Sequence, residues 1–319
     1  MHFSISGIDI APYIPFTVAL VVSFFSSMGG VSGAFLLLPF QVSILGFDSP
    51  SVSPTNLVYN IVAIPSGVYR YIREGRMAWP LAIIITVGTL PGVFIGALIR
   101  VRYLPDPGNF KMFVGCVLLY IGIRLFKSLF ENKGVNAEKA KELEKRFNKR
   151  ADDIRKGIIK ASDLKAEIRT INYSLTKYTY SFYGETFSFN AAWLILLTFV
   201  VGIVGGTYGI GGGAIIAPFL VAFFGLPIYT IAGAALLGTF VTSIAGVVFY
   251  TIMAPYYSHT GLAISPDWLL GGLFGAGGFV GMYFGARVQK YIPAKIIKIL
   301  LGLAISFLSI KYIVGWLTG

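Results

Sequence analysis

The chain has 319 residues, of which 55% are hydrophobic and 13% charged, and its mean hydropathy is +0.75. Soluble domains carry about 25% charged residues, so this composition excludes a soluble globular protein and indicates an all-α integral membrane protein embedded in a lipid bilayer. The net charge of +12 does not point to nucleic acid as a partner. Most basic residues fall between apolar runs, where they serve as orientation signals and headgroup contacts.

In chain order, residues 12–28 form the first apolar run, which ends at Gly29-Gly30, and residues 35–45 form a short second one containing Pro39. Each is shorter than the roughly 20 residues of a membrane-spanning helix. They are thin tilted spans or a re-entrant hairpin with its tip at Gly29–Gly33. No Lys or Arg precedes Arg70, so the first run lacks the basic leader of a cleaved signal and is expected to be retained. Residues 54–71 follow, with Asn56 and Asn60 one turn apart on one helical face. Spans at 78–99 and 110–130 complete a first membrane block, residues 1–130, and Cys116, the single cysteine, lies in the last of them. One cysteine permits neither a disulfide framework nor a cysteine metal cluster.

Residues 131–189 hold 13 Lys/Arg and 9 Asp/Glu and no apolar run of membrane length. Leu143, Phe147, Ile154, Ile158, Leu164, Ile168 and Ile171 recur at helical spacing, which predicts amphipathic helices. Tyr178, Tyr180 and Phe182 then alternate with polar residues, Gly184-Glu185 makes a turn, and Phe187 and Phe189 alternate again. That pattern predicts a β-hairpin, so the insert reads as a small α/β unit docked on the membrane part.

Membrane segments resume in the block 190–319, at 191–204, 214–224, 229–254, 268–286 and 296–316. Between the first two of these runs stands Gly205-Gly206-Thr207-Tyr208-Gly209-Ile210-Gly211-Gly212-Gly213. Glycine costs a helix interior roughly 1 kcal/mol against alanine, so the helix is expected to break here. A break at membrane depth is tolerated only where protein or a water-filled cavity surrounds it, and in transporters such breaks form substrate sites.

The second block repeats the first. Gly30, Gly33, Pro39-Phe40 and Gly46 recur 179 residues later as Gly209, Gly212, Pro218-Phe219 and Gly225, and Gly67 and Tyr71 recur as Gly246 and Tyr250. After a 10-residue insertion near 256–265, Trp79, Gly88, Gly92 and Gly96-Ala97 match Trp268, Gly277, Gly281 and Gly285-Ala286. The chain is a duplication. Arg70, Arg73 and Arg76 mark one loop of the first repeat. Its counterpart at 251–267 has no Lys or Arg, and the following loop carries Arg287, Lys290, Lys295 and Lys298 instead. This exchange is what an inverted repeat requires. With about five helical segments per repeat (8–10 in all), the positive-inside rule puts the insert in the cytoplasm and both termini outside a cell (inner or plasma) membrane. Arg100 and Arg102 dissent on the outer side.

The run Gly209-Ile210-Gly211-Gly212-Gly213 followed by Pro218 and Gly225, within a duplicated four-to-five-segment block, resembles the TauE/SafE sulfite exporter family. The similarity covers both membrane blocks but not 131–189, and the first copy departs from it with the glycine-poorer Gly29-Gly30-Val31-Ser32-Gly33. The resemblance implies passage of small sulfur-containing anions such as sulfite, sulfoacetate or other organosulfonates.

An oxyanion is well held by free N–H groups at a helix N-terminus, which supply donors and positive potential together. Helices starting near Ser32–Ala34 and Gly212–Ala214 would offer such ends, and inversion would bring the breaks face to face. The candidate substrate site is therefore Gly29, Gly30, Ser32, Gly33, Asn56, Asn60, Tyr208, Gly209, Gly211, Gly212, Gly213, Thr239, Thr242 and Ser243, with Arg70 at the cytoplasmic mouth. The rival reading of the polar residues is interhelical hydrogen bonding, of the glycines close packing, and of Arg70 plain anchoring. No Asp or Glu lies well inside a span, and His2 and His259 lie near surfaces, which argues against a catalytic acid–base pair, a metal site or a cofactor. A monovalent anion leaving a negative interior gains about 2.3 kcal/mol per 100 mV, enough for export. A passive anion channel on the same fold is the alternative. Thr207-Tyr208-Gly209-Ile210-Gly211 resembles a potassium filter, but a filter needs four copies around an axis. A homodimer is the one protein partner left open.

Overall fold

The structure, a computed structural model, describes residues 1–130, 138, 142, 143, 145, 146, 149, 168–174, 177–182, 184–292 and 294–318. The first repeat contains α1 (Tyr13–Met28), α2 (Ala34–Ser43), α3 (Val52–Arg73), α4 (Trp79–Arg102) and α5 (Pro107–Phe130). The second contains α6 (Ala191–Tyr208), α7 (Ile216–Phe224), α8 (Ile228–Met253), α9 (Trp268–Val288) and α10 (Ala294–Thr318). Helix boundaries fall within a few residues of the apolar runs, because the runs end at Gly, Pro and charged residues. Among the described residues six helices are long and apolar enough to cross a membrane, namely α4, α5, α6, α8, α9 and α10. Helix α3 is long enough at 22 residues but carries Ser53, Thr55, Asn56, Asn60 and Ser66, all turned inward and buried. Exposed Ile83, Val87, Ile95, Leu196, Val200, Val248 and Phe307 form the outer, lipid-facing surface of a multi-pass membrane protein.

Close approaches between helices reveal their directions. Phe16, Leu20 and Phe24 of α1 abut Gly277, Gly281 and Gly285 of α9 in turn, and Thr55 and Val62 of α3 abut Gly271 and Gly275, so α1, α3 and α9 are parallel. In the same way Gly88, Gly92 and Gly96 of α4 meet Thr198, Ile203 and Thr207 of α6, while Ile85 and Val93 of α4 meet Gly238 and Gly246 of α8. Helices α4, α6 and α8 are thus parallel to one another. The two sets are antiparallel, since Leu57 and Tyr71 of α3 face Gly246 and Gly233 of α8. Equivalent helices of the two repeats run in opposite directions, which makes the repeat inverted. Each first helix packs on the fourth helix of the other repeat, the two third helices cross at the centre, and the two fifth helices pair, with Ser309 Oγ donating to Gly115 C=O at 2.9 Å.

The short helices are hairpins. Helix α1 runs to the level of Gln289, whose Nε2 donates to Met28 C=O at 2.6 Å. The chain then reverses, and α2 returns to the face from which α1 came, where Ser43 Oγ donates to Tyr312 OH at 3.1 Å. Helix α7 does the same from the opposite direction. One face therefore carries the ends of α3 and α5 with the insert, and the other carries both termini. The β1–β2 ribbon (His2–Phe3 with Ile8–Asp9) caps the terminal face, where the N–H and Oγ of Ser6 both donate to Asp267 Oδ2.

The expected hairpin is present as β4 (Tyr178–Phe182) and β5 (Glu185–Phe189), and β3 (Arg169–Tyr173) adds a third strand on the other edge of β4. Ile171, grouped above with the helical residues, is therefore a strand residue and is exposed; strand pairing with β4 overrides the local period. Leu143 is buried in a helical stretch, whereas Phe147, Ile154, Ile158 and Leu164 lie outside the described residues. Inward Tyr178, Tyr180, Phe182, Phe187 and Phe189 are buried. The sheet docks through Tyr180 OH on Thr230 Oγ1 at 2.8 Å and Ile168 N–H on Gly75 C=O at 3.1 Å. Burial pushes both the Tyr178 and Tyr180 phenols above their ordinary pKa, so neither ionises near neutrality.

Candidate functional site

Both glycine stretches break their helices: the first break lies against Asn60 of α3 and Ala232 near the start of α8, and the second against Ser53 at the start of α3 and Thr239–Ser243 of α8. Helix α6 ends because Gly209 adopts φ +81° and Gly211 φ +82°, a left-handed backbone that only glycine adopts at low cost. The following helix starts at Ile216 rather than near Gly212–Ala214 as expected. The intervening residues form a turn, with Ala214 N–H on Gly211 C=O at 3.3 Å. In the first break Gly29 caps α1, Gly30 sits at φ +66°, and α2 begins at Ala34 as expected.

Asn60 joins the two breaks. Its Nδ2 donates to Ile210 C=O at 2.9 Å and to Ser243 Oγ at 3.0 Å, and its Oδ1 accepts from Ser32 Oγ. One turn earlier, Asn56 Nδ2 donates to Ala34 C=O at 2.9 Å and to Gly209 C=O at 3.3 Å. Tyr208 OH crosses to Phe35 C=O at 2.8 Å. On α8, Thr242 Oγ1 accepts from Gly212 N–H at 3.1 Å, and Thr239 lines Gly213, where a Cβ would stand 2.5 Å from Ala235 C=O and 2.7 Å from the Thr239 nitrogen. Gly33 lies against Tyr59, whose hydroxyl is hydrogen-bonded to Ser23 at 2.7 Å. All fourteen candidate residues at the breaks are buried, and these contacts join those of the two breaks except Gly29 and Gly30, of which Gly30 meets Ala232 and Ala217 instead. Among the described residues nothing accepts from the N–H groups of Ser32, Phe35, Gly211, Gly213 or Ile215.

Arg70 is placed elsewhere, on the insert face, ion-paired with Glu74 at 2.6 Å and 6.0 Å from the Tyr283 ring centroid. Among the described residues of that face Arg76 is buried; it donates to Gln289 Oε1 at 2.7 Å and to Ala286 C=O at 3.2 Å and pairs with Glu74 at 2.6 Å. Sequence reasoning also passed over Thr89, which abuts Gly212, and Gln41, whose Nε2 donates to Asn56 Oδ1 at 3.3 Å. Gln41 is the one amide in a short helix otherwise apolar up to its last residue, Ser43, a signal that was readable. Thr89 between Gly88 and Gly92 carried none.

A family model described as Sulfite exporter TauE/SafE matches residues 15–312 of this chain. The chain belongs to the TauE/SafE sulfite exporter family. The matched range runs through both repeats, and this family member is a membrane transporter. It is also 25% identical over 219 residues, 66% of this chain and 67% of the other, to a Bacillus subtilis (strain 168) protein described as Probable membrane transporter protein YunE. No solved structure matches it.

Proposed function

We propose that the chain is a carrier for small sulfur oxyanions or sulfonates, such as sulfite or sulfoacetate, working outward across the cell's inner or plasma membrane. The observation that carries this reading is the bridge through Asn60, which holds Ser32 of one break and Ile210 of the other on a single side chain. Around it stand N–H groups without acceptors and the N-terminal ends of α2 and α7, arriving from opposite faces. Two positive helix ends with free donors suit a compact oxyanion that must be bound without being trapped by a fixed cation.

The complete burial of both breaks favours a carrier in an occluded state over an open anion channel. The domain reading is two membrane repeats, 1–130 and 190–319, flanking an insert at 131–189. The basic charge of that face supports an insert in the cytoplasm with the termini outside, and a negative interior would then favour outward movement of the anion. The purified protein in liposomes is expected to pass sulfite or a sulfonate at a rate that saturates with concentration. Flux equal to that of empty liposomes for every such anion overturns the substrate claim, and a rate linear in concentration favours the channel.

A further inference from the structure

The terminal face holds a second polar cluster that the breaks do not use. Arg100, two residues before the end of α4, has a side chain with no solvent exposure. Its Nη1 donates to Leu104 C=O, and its guanidinium lies over the Phe110 ring, 3.8 Å from the centroid. Its Nε and Nη2 have no hydrogen-bond partner, and among the described residues no carboxylate pairs with it. Tyr250 of α8 and Ser53 of α3 close the cluster. The Tyr250 hydroxyl is close enough to interact with Arg100 and to hydrogen-bond weakly with Ser53, but among the described residues neither it nor Ser53 Oγ makes a well-formed hydrogen bond. Four buried polar atoms able to donate, two of them on a cation, therefore lie on three helices that pack together here, since Tyr250 clusters with Leu57 of α3 and with Ala97 and Val101 of α4.

The repeat shows how unusual this spot is. Gly96-Ala97 aligns with Gly285-Ala286, so the inverted mate of Arg100 is Gln289, and the mate of Tyr250 is Tyr71. On the insert face Gln289 is fully engaged: it accepts from Tyr71 OH at 3.0 Å and from Arg76 at 2.7 Å and donates to Met28 C=O at 2.6 Å. The arginine there is neutralised by Glu74 at 2.6 Å. The terminal face carries the same tyrosine with a cation in place of the amide and, among the described residues, no counter-charge. A buried charge without a partner is strongly unfavourable, and a small anion would supply the partner.

The cluster also adjoins the glycine break. A Cβ at Gly209 would stand 2.5 Å from Ser53 Oγ, and Ser53, Asn56 and Asn60, spaced three and four residues apart, share one face of α3. We propose that Arg100, Tyr250 and Ser53 bind a small inorganic oxyanion of the sulfite or sulfate type at the terminal-face end of this polar stripe. The binding site stands on these side chains alone, and only its place as a station on the transport route rests on the function proposed above.

The test is saturable stabilisation of the purified full chain in detergent against thermal unfolding by sodium sulfite or sodium sulfate, with sodium gluconate at equal ionic strength as the reference. The wild type is expected to respond. Arg100→Gln, which installs the residue of the inverted mate, is expected to raise the apparent dissociation constant at least tenfold and to unfold no earlier than the wild type without anion. Arg100→Lys is expected to keep part of the response. If Arg100→Gln does not fold, the double variant Tyr250→Phe, Ser53→Ala decides: weaker binding supports the site and unchanged binding overturns it. A wild type without saturable response, or an Arg100→Gln variant with unchanged affinity, also overturns it. Absent sulfur-anion flux with this binding intact would sink the proposed function and leave the site standing.

Discussion

Replacing Asn60 by leucine separates a binding role from a packing role. Leucine has the same branched shape but a larger side chain, so the change opens no cavity while removing three hydrogen bonds, to Ile210 C=O, Ser243 Oγ and Ser32 Oγ, and any overpacking adds to the loss. Side-chain hydrogen bonds between membrane helices average about 0.6 kcal/mol each, so three predict a loss of about 2 kcal/mol. A larger loss follows if the Ile210 carbonyl is left without any donor, since a stranded buried polar group costs roughly 1–3 kcal/mol. The assays are reversible unfolding in mixed micelles and anion flux in liposomes, run on the same preparation. The expected result is a folded protein destabilised by about 2 kcal/mol that passes no anion, because the two breaks are no longer tied together and the amide is gone. A variant that loses the stability but transports at the wild-type rate shows that Asn60 is only interhelical glue. One that loses neither refutes the bridge itself.

Three other outcomes follow from the same geometry. Gly212→Leu is expected to abolish flux, since even a Cβ there would overlap Thr89 Cβ; liposome flux at wild-type rate from the folded variant would remove the break from the route. Single cysteines introduced at positions 75 and 260, with Cys116 replaced, should react with an impermeant maleimide from opposite faces, and labelling from the same face contradicts the inverted repeat. Because no Asp, Glu or His is among the residues at the breaks, a one-unit pH gradient at zero membrane potential should not concentrate the anion in vesicles. Accumulation under that gradient would mean a proton-coupled mechanism.

Much of this architecture was legible one segment at a time. Apolar runs end where Gly29, Gly46, Glu74, Asp106 and Gly209 interrupt them, and those interruptions are local chemistry, so helix boundaries follow within a few residues. The period-2 alternation from Tyr178 to Phe189 likewise needs only neighbours to be read. Strand β3 was missed because its partner β4 lies across a turn, and pairing with it outweighs the helical spacing that placed Ile171 among the amphipathic residues.

The sequence by itself determined that this is a duplicated, inverted membrane protein with a glycine break in each half, because hydropathy, glycine register and loop charge are properties of short stretches. Only the tertiary structure decided which polar residues meet. That Asn60 reaches Ile210, 150 positions away, depends on α3 crossing α8 at the centre of the bundle, and no local pattern encodes that crossing. Arg100 makes the same point. An arginine near the end of a span reads as an anchor reaching toward headgroups, and an outward and an inward side chain have the same sequence signature. The packing of α4 against α8, with Phe110 beneath the guanidinium, turns this one inward, and so converts an apparent topological dissent into a buried cation beside the second break.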